Sequence, residues 1–305
     1  SYLIASNALE SQARQQLATI AFERANQLAT YLQTVQLDLT KTGRATATRT
    51  ATNNMAQGWQ GMELQGGEGN ASTKLKGVFS GMDAAERLAT DVPKGAPPDY
   101  TQNHKRYQPV FREQITANGY RDLYLFDALG NLVYSVTKAD DFASNFAAGS
   151  ADPLASSGLG EAFRAAAAQT TSDGVAFVDF SPYAPQGGEF LAFLATPLLD
   201  DDGALTGVLA ISFGAEKQSA VISYRSGLGA TGDTIIVAPD GLARSDSSFT
   251  PQNDMLQPTL FDDAIKEAIW GVPTETGSND FRGRSVIAAA APADITATKS
   301  WAAMA

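Results

Sequence analysis

The sequence predicts an α+β chain in which a long N-terminal helix is followed by two antiparallel-sheet units in tandem. Three observations predict it. From Asn7 to about Met55 there is no proline, and apolar residues recur at spacings of three and four. Further on, a segment of strand, tight glycine turn and strand occurs twice, and the elements after each copy follow in the same order. The composition, 44% hydrophobic and 18% charged over 305 residues, suits a globular chain too long for a single core.

The N-terminal stripe is Leu17, Ile20, Ala21, Leu28, Tyr31, Leu32, Val35 and Leu39, with Gly43 the one glycine in the stretch. At ~1.5 Å per residue such a helix reaches roughly 60 Å, so it must span two lobes or pair with a partner chain. Residues 57–70 are glycine-rich and polar and read as a mobile loop. The run Ala96, Pro97, Pro98, Asp99 is a second break, leaving a shorter helix from about Thr73 to Ala89 and a compact fold that begins near Tyr100. The expected division is 1–99 for the helices and loop, 100–225 for the first sheet unit and 226–305 for the second.

The repeat starts with Asp122 to Ser135 (DLYLFDALGNLVYS), echoed by Asp233 to Ser245 (DTIIVAPDGLARS). A short helix follows in each, Gly160 to Ala168 and Phe261 to Trp270, then an apolar strand, Phe190 to Pro197 and Ser285 to Pro292. Each unit closes on another strand, Gly207 to Phe213 and Ser300 to Ala305, giving two sheets of about five strands with helices on one side. The first unit has the longer connection, Phe180 to Glu189, and is expected to hold the larger cavity.

Charge and composition exclude several function classes. A net charge of −11 and a pI near 4.6 argue against a nucleic-acid partner, which needs clustered Lys and Arg. No cysteine means no disulfide, thiolate metal site or Cys nucleophile, and a single histidine, His104, in the polar run Gln102 to Arg106, rules out His-pair zinc sites. No metal or cofactor is expected. No apolar run is long enough to span a membrane, and the chain reads as a piece of something longer.

Two motifs are decoys. Gly227 to Gly232 (GLGATG) has dinucleotide-site spacing but precedes a strand, where the glycines should follow one, so it reads as a turn. Asp200 to Gly203 (DDDG) lacks the spaced ligands of a calcium loop and reads as a hairpin turn. No Gly-x-Ser-x-Gly elbow occurs, and no catalytic residue is assigned.

Taken together, the long helix, Gly119 to Ser135, Phe177 to Pro185 (FVDFSPYAP), Gly227 to Asp233 and Pro239 to Asp246 resemble the double Cache sensor domains of methyl-accepting chemotaxis receptors and related membrane-bound kinases and cyclases. The resemblance implies two PAS-like units in a periplasmic, non-enzymatic sensor, flanked by membrane helices outside this fragment and dimeric through the N-terminal helix. It implies a small-molecule pocket in the membrane-distal unit, residues 100–225, with the membrane-proximal unit as relay. Amino-acid-binding members carry an Arg and a Trp-Tyr pair after the second strand, whereas this chain has Thr137 to Phe146 (TKADDFASNF) there. The implied ligand is a small amine, amino acid or organic acid. The alternatives are a partner-binding ectodomain without ligand and a periplasmic hydrolase.

From the residues themselves, the first unit offers Tyr124, Tyr134, Phe142, Phe146, Phe180, Tyr183 and Phe193, with Asp179 between aromatics on a strand. A carboxylate among aromatic faces suits a cationic or zwitterionic ligand; the same rings could equally be sheet core, with Asp179 capping a turn. Tyr183, set between Pro182 and Pro185, is presented at low entropic cost, and Asp179 and Tyr183 are the first contacts expected. Lys138, Arg164 and Arg121 could receive a carboxylate but read as solvated charge.

Overall fold

The computed structural model describes residues 2–280 and 282–305. The chain divides into a larger unit, Gln36–Gly214, and a smaller unit, Ser1–Val35 with Ala215–Ala305, each with its own antiparallel sheet. The helices read from the sequence as a segment of their own, residues 1–99, are thus shared between the units.

Helix α1 (Tyr2–Arg44) buries the predicted stripe, with Ile20, Ala21, Leu28, Leu32, Val35 and Leu39 all inside. It ends earlier than the sequence predicts. Ala45 takes an extended conformation (ψ 130°) and a new helix, α2 (Thr46–Gly66), begins. Just before the break, Gly43 lies so near the sheet that a Cβ there would sit 2.9 Å from the Thr196 methyl. α2 also replaces most of the expected mobile loop at 57–70. Met55, Trp59 and Met62 are buried at spacings of four and three, and this packing outweighs the ~1 kcal/mol helix penalty of each of Gly58 and Gly61. Only a short turn remains, in which the Glu63 carboxylate takes the N–H groups of Gly69 and Ala71.

The helix expected over Thr73 to Ala89 is two, α3 (Asn70–Phe79) and α4 (Ala84–Ala89), the latter opened by a reciprocal Asp83–Glu86 capping box. The sequence reading missed α5 (Pro98–Asn118). Its buried residues Tyr100, His104, Tyr107, Phe111 and Ile115 have clear helical spacing, but Pro109 and the polar run around His104 masked it.

In the larger unit β1 (Asp122–Asp127), β2 (Leu132–Ser135), β3 (Ala176–Tyr183), β4 (Glu189–Leu199) and β5 (Leu205–Phe213) form a sheet in the order β2-β1-β5-β4-β3. Helix α6 (Gly158–Ala167) covers one face; α2 and α5 cover the other. A sheet buried on both faces needs no polar alternation, and all of β1 and β2 is buried. On the α6 face, Tyr124, Phe126, Phe193, Val208 and Ala210 pack against Leu159, Ala162, Phe163 and Ala166.

The smaller unit repeats the plan after α7 (Glu216–Ile222). Strands β6 (Ile235–Val237), β7 (Thr274–Asn279), β8 (Ser285–Thr296) and β9 (Lys299–Met304) run in the order β6-β9-β8-β7, with α8 (Asp263–Ile269) on one face. Its fifth strand is reduced to one bridge, Val237↔Ala243, so this sheet has four strands rather than five. Both decoy motifs are turns: Asp200–Gly203 closes the β4–β5 hairpin, and Gly227–Gly232 is a loop that leads to β6. Among the described residues no helix is long and apolar enough to cross a membrane.

The β1–β2 turn depends on Gly130, whose φ is +83° and whose missing Cβ would lie 2.7 Å from the backbone nitrogen of Ala147. Left-handed backbone and backbone collision add here. Gly130→Ala is expected to cost about 2 kcal/mol or more in urea unfolding, well above the ~0.5 kcal/mol of an ordinary surface change.

Candidate functional site

The candidate site lies at one end of the larger unit's sheet, on the α6 face. Tyr183 ends β3, Tyr124 is in β1 and Phe193 in β4; all three rings are buried. Tyr183 and Phe193 meet edge to face at 5.0 Å, and Tyr124 lies 6.5 Å from Phe193. The Tyr183 hydroxyl donates to Asp141 Oδ2 at 2.7 Å. Tyr124 shares a 3.1 Å hydrogen bond with Ser212 and accepts from Gln186 Nε2 at 3.2 Å.

Asp141 is fully buried, and its Oδ1 has no hydrogen-bond partner among the described residues. Burial, then the Asp122 charge, push its carboxyl well above the ordinary range, against the Tyr183 hydrogen bond, which lowers it. A buried carboxyl with an unfilled acceptor is expensive, on the order of 1–3 kcal/mol for the missing bond alone.

Asp122, the first residue of β1, is also fully buried and also raised by burial. Its Oδ1 accepts from the N–H groups of Leu123 (2.7 Å), Val136 (2.9 Å) and Thr137 (3.2 Å), and its Oδ2 from the Thr137 hydroxyl. This clamp fixes how the chain leaves β2. Beside the site, Arg121 holds Glu189 through Nε and Nη2 at 2.7 and 2.6 Å.

The predicted residues therefore separate. Tyr124, Tyr183 and Phe193 come together; Phe146 is on the same face but deeper, edge-on to Phe126 at 5.4 Å. Tyr134 and Phe142 are on the opposite face, around Lys138. That lysine, read as solvated, is buried: its Nζ reaches the Ser135 carbonyl and Gln108 Oε1 and sits 4.0 Å from the Tyr134 ring centre, with Phe79 and Phe142 at 5.5 and 5.4 Å. Asp179 is half-buried at a bulge in β3, with Oδ1 on the Phe180 N–H at 2.7 Å. Phe180 packs edge-on to Phe213 at 5.8 Å. The carboxylate that meets Tyr183 is Asp141, which the sequence reading passed over although it lies within the departing segment Thr137 to Phe146.

Two further readings change. Arg164 is not free in solvent but donates to the carbonyls of Phe146 and Ala155. His104 is buried on α5, donating Nδ1–H to the Asp91 carbonyl at 2.9 Å, and burial, then Lys138, hold its pKa down to about 2. A permanently neutral, enclosed imidazole is no general base. The mostly apolar cavity, about 460 Å³, is in the smaller unit; a 510 Å³ hollow in the larger unit lies over the Ala147–Ser156 loop and, of the residues weighed from the sequence, is lined only by Arg164.

No protein-family model and no curated protein matches the sequence. Solved structures do match. The extracellular domain of the putative histidine kinase soHK1S-Z6 superposes with a TM-score of 0.54 at 12% identity, over 98% of this chain and 95% of that one. The periplasmic sensory domain of the Campylobacter jejuni chemoreceptor Tlp1 gives 0.53 at 13%, over 94% and 92%. The ligand-binding domain of the Pseudomonas aeruginosa PAO1 amino acid chemoreceptor PctC, in complex with GABA, gives 0.50 at 15%, over 96% and 98%. The chain has the two-unit fold of these sensor domains, as the Cache resemblance implied.

Burial holds Lys138 below its ordinary 10.5, so the folded state binds its proton less readily than the unfolded chain. Its cost is present near neutral pH and fades as pH rises toward that value. Lys138→Met, which fills the cage without charge, is expected to melt about 2–4 °C higher than the parent at pH 7.5, with the two converging near pH 10. A constant offset across that range in scanning fluorimetry would refute the assignment.

Proposed function

We propose that the chain is the extracytoplasmic sensor of a bacterial membrane signal transducer, and that its larger unit binds a small cationic amine at Asp141 and Tyr183. The observation that carries this reading is the buried Asp141 carboxylate with one oxygen unfilled. An ammonium group there supplies the missing donors and compensates the buried charge. The rings of Tyr183, Phe193 and Tyr124 would add cation–π attraction of roughly 0.5–2 kcal/mol each where water is excluded; they are buried against one another here, so admitting the guest requires them to part.

The charges around the site favour a cation over an anion. Asp122 raises the Asp141 carboxyl and so contributes negative potential, Arg121 is engaged by Glu189, and Lys138 is caged among the rings on the other face. The GABA held by PctC carries an ammonium group, which supports an amine, and a carboxylate besides. The larger unit would be the membrane-distal one and the smaller unit the relay, in a periplasmic domain held by flanking membrane helices. Pairing of two copies along α1 is supported by Phe22 and Leu37, both exposed large apolar residues of that helix.

The test is a thermal-shift screen with putrescine, histamine, choline, neutral amino acids and small carboxylates. At ~100 times its dissociation constant a ligand adds about 2.7 kcal/mol of stability. Ammonium compounds are expected to raise the melting temperature, and Asp141→Asn to weaken them about 30-fold or more, the equivalent of ~2 kcal/mol. A response confined to amine-free carboxylates, or one untouched by Asp141→Asn, would sink the reading.

The same carboxyl gives a pH signature. Its pKa is raised in the folded state, and it must lose its proton to hold an ammonium. Affinity is therefore expected to tighten as pH rises from 5.5, by up to about tenfold per unit, and to level off once Asp141 is ionised. Calorimetry on the parent and on Asp141→Asn, which should show no slope, checks it.

A further inference from the structure

We infer that the smaller unit carries a second ligand site, for a small monocarboxylate with an apolar body. The cavity of about 460 Å³ lies where β6 and β8 begin and β9 ends, roofed by the 227–233 loop and by Gln16 and Leu17 of α1, all within that unit. Its size is ordinary for a small-molecule site.

The registers explain why it is open. In the larger unit Tyr124 lies opposite Ala210, and Ala210 opposite Ala195; in the smaller unit Ile235 lies opposite Met304, and Met304 opposite Ala290. Ile235 therefore stands where Tyr124 does, and Ala288, two residues before Ala290, where Phe193 does. Both rings that fill the end of the larger sheet are missing from the smaller one, and Ile235, Ala288 and Met304 line the space left behind. One fold position is thus packed with aromatics in one unit and hollow in the other.

The polar groups at the mouth set the charge of the guest. Asp233 is engaged by the Ser247 and Ser248 hydroxyls and the Thr234 N–H. Asp280 accepts from the backbone N–H groups of Arg282 and Arg284 and from the Arg282 guanidinium. Arg284, half exposed at the cavity, meets Asp280 through Nε at 3.4 Å. A guanidinium has five N–H donors, so its outer edge is suited to a carboxylate by a two-pronged contact. Both acids being occupied, the mouth offers donors more readily than acceptors. An aliphatic or aryl tail would bury against Ile235, Ala288 and Met304, stabilised by about 25 cal/mol per Å² of apolar surface removed from water.

The whole 305-residue chain, labelled at its methionine methyls, is titrated with octanoate, phenylacetate, 1-octanol and octylamine. There are five methionines, and Met304 is the one that lines the cavity. Octanoate and phenylacetate are expected to shift the Met304 signal and leave those of Met55 and Met62 in place, with octylamine inactive. Ala288→Phe, which restores the ring present in the other unit, is expected to abolish the response. Arg284→Gln is expected to weaken octanoate at least fivefold while leaving 1-octanol unchanged. No Met304 shift, or equal binding by octanol and octanoate, overturns the proposal; so does unchanged affinity in Ala288→Phe. If that variant does not fold, Met304 in the parent and in Arg284→Gln decides. Asp141→Asn should retain the octanoate response while losing any amine response, so the two sites can fail independently.

Discussion

The arrangement of the larger unit depends on the carboxylate of Asp122. Placed inside the sheet at the start of β1, it gathers the N–H groups of Leu123, Val136 and Thr137 and the Thr137 hydroxyl. Four donors on one buried acid offset much of the cost of enclosing it, and they bring the chain off β2 in one direction only. Everything from Lys138 to Phe146 follows from that exit. Lys138 takes a left-handed conformation (φ 49°) and turns into the aromatic cage beside α5, and three residues later Asp141 turns to Tyr183. One segment thus furnishes the cation on one face of the sheet and the carboxylate on the other.

This division was not legible in the sequence. Alternation assigns faces along a strand, but Tyr134 and Tyr124 are put on different faces by a register shift between Leu125 and Phe126, and Phe142 and Asp141 stand in irregular chain where no periodicity applies. The tandem repeat and its strands were legible because turn glycines such as Gly130 and Gly241 sit at matching positions in two copies. Both have the positive φ that the turn demands. The continuous helix over 57–66 was not, since Gly58 and Gly61 argue locally against it and only the burial of Trp59 and Met62 reverses the balance. Asp179 has aromatic neighbours in sequence, but the β3 bulge displaces it from the alternation that would have aligned it with Tyr183.

The repeat also shows how one backbone plan serves two interiors. Helix α6 in one unit and α8 in the other cover the same face of equivalent sheets, and the cores around Ala195 and Ala290 are built alike. The units part at the open end of the sheet, where side-chain volume is set by few residues. Tyr124 and Phe193 against Ile235 and Ala288 is a loss of two rings, more than the surrounding backbone can close over. Close packing elsewhere makes such a difference local: the strands keep their register and the space appears where the rings were.

The cost structure of the larger unit bears on what it does. A protein selected for stability alone would not keep two buried carboxylates and a buried lysine around one short segment, because apolar residues of the same volume are often as stable or more so. Asp122 is compensated by its donors and Lys138 by rings and carbonyls, but Asp141 accepts from the Tyr183 hydroxyl and keeps an open oxygen. This least compensated acid is the one that faces the aromatic end of the sheet. Its neighbours are fixed by the Asp122 clamp, so the loop pays its conformational entropy in folding rather than in binding. Under the proposed function an incoming cation would meet an acceptor whose neighbours are already fixed, and the free energy of filling its open oxygen would belong to the occupied state alone. That difference between occupied and empty states is the only quantity a sensor can transmit.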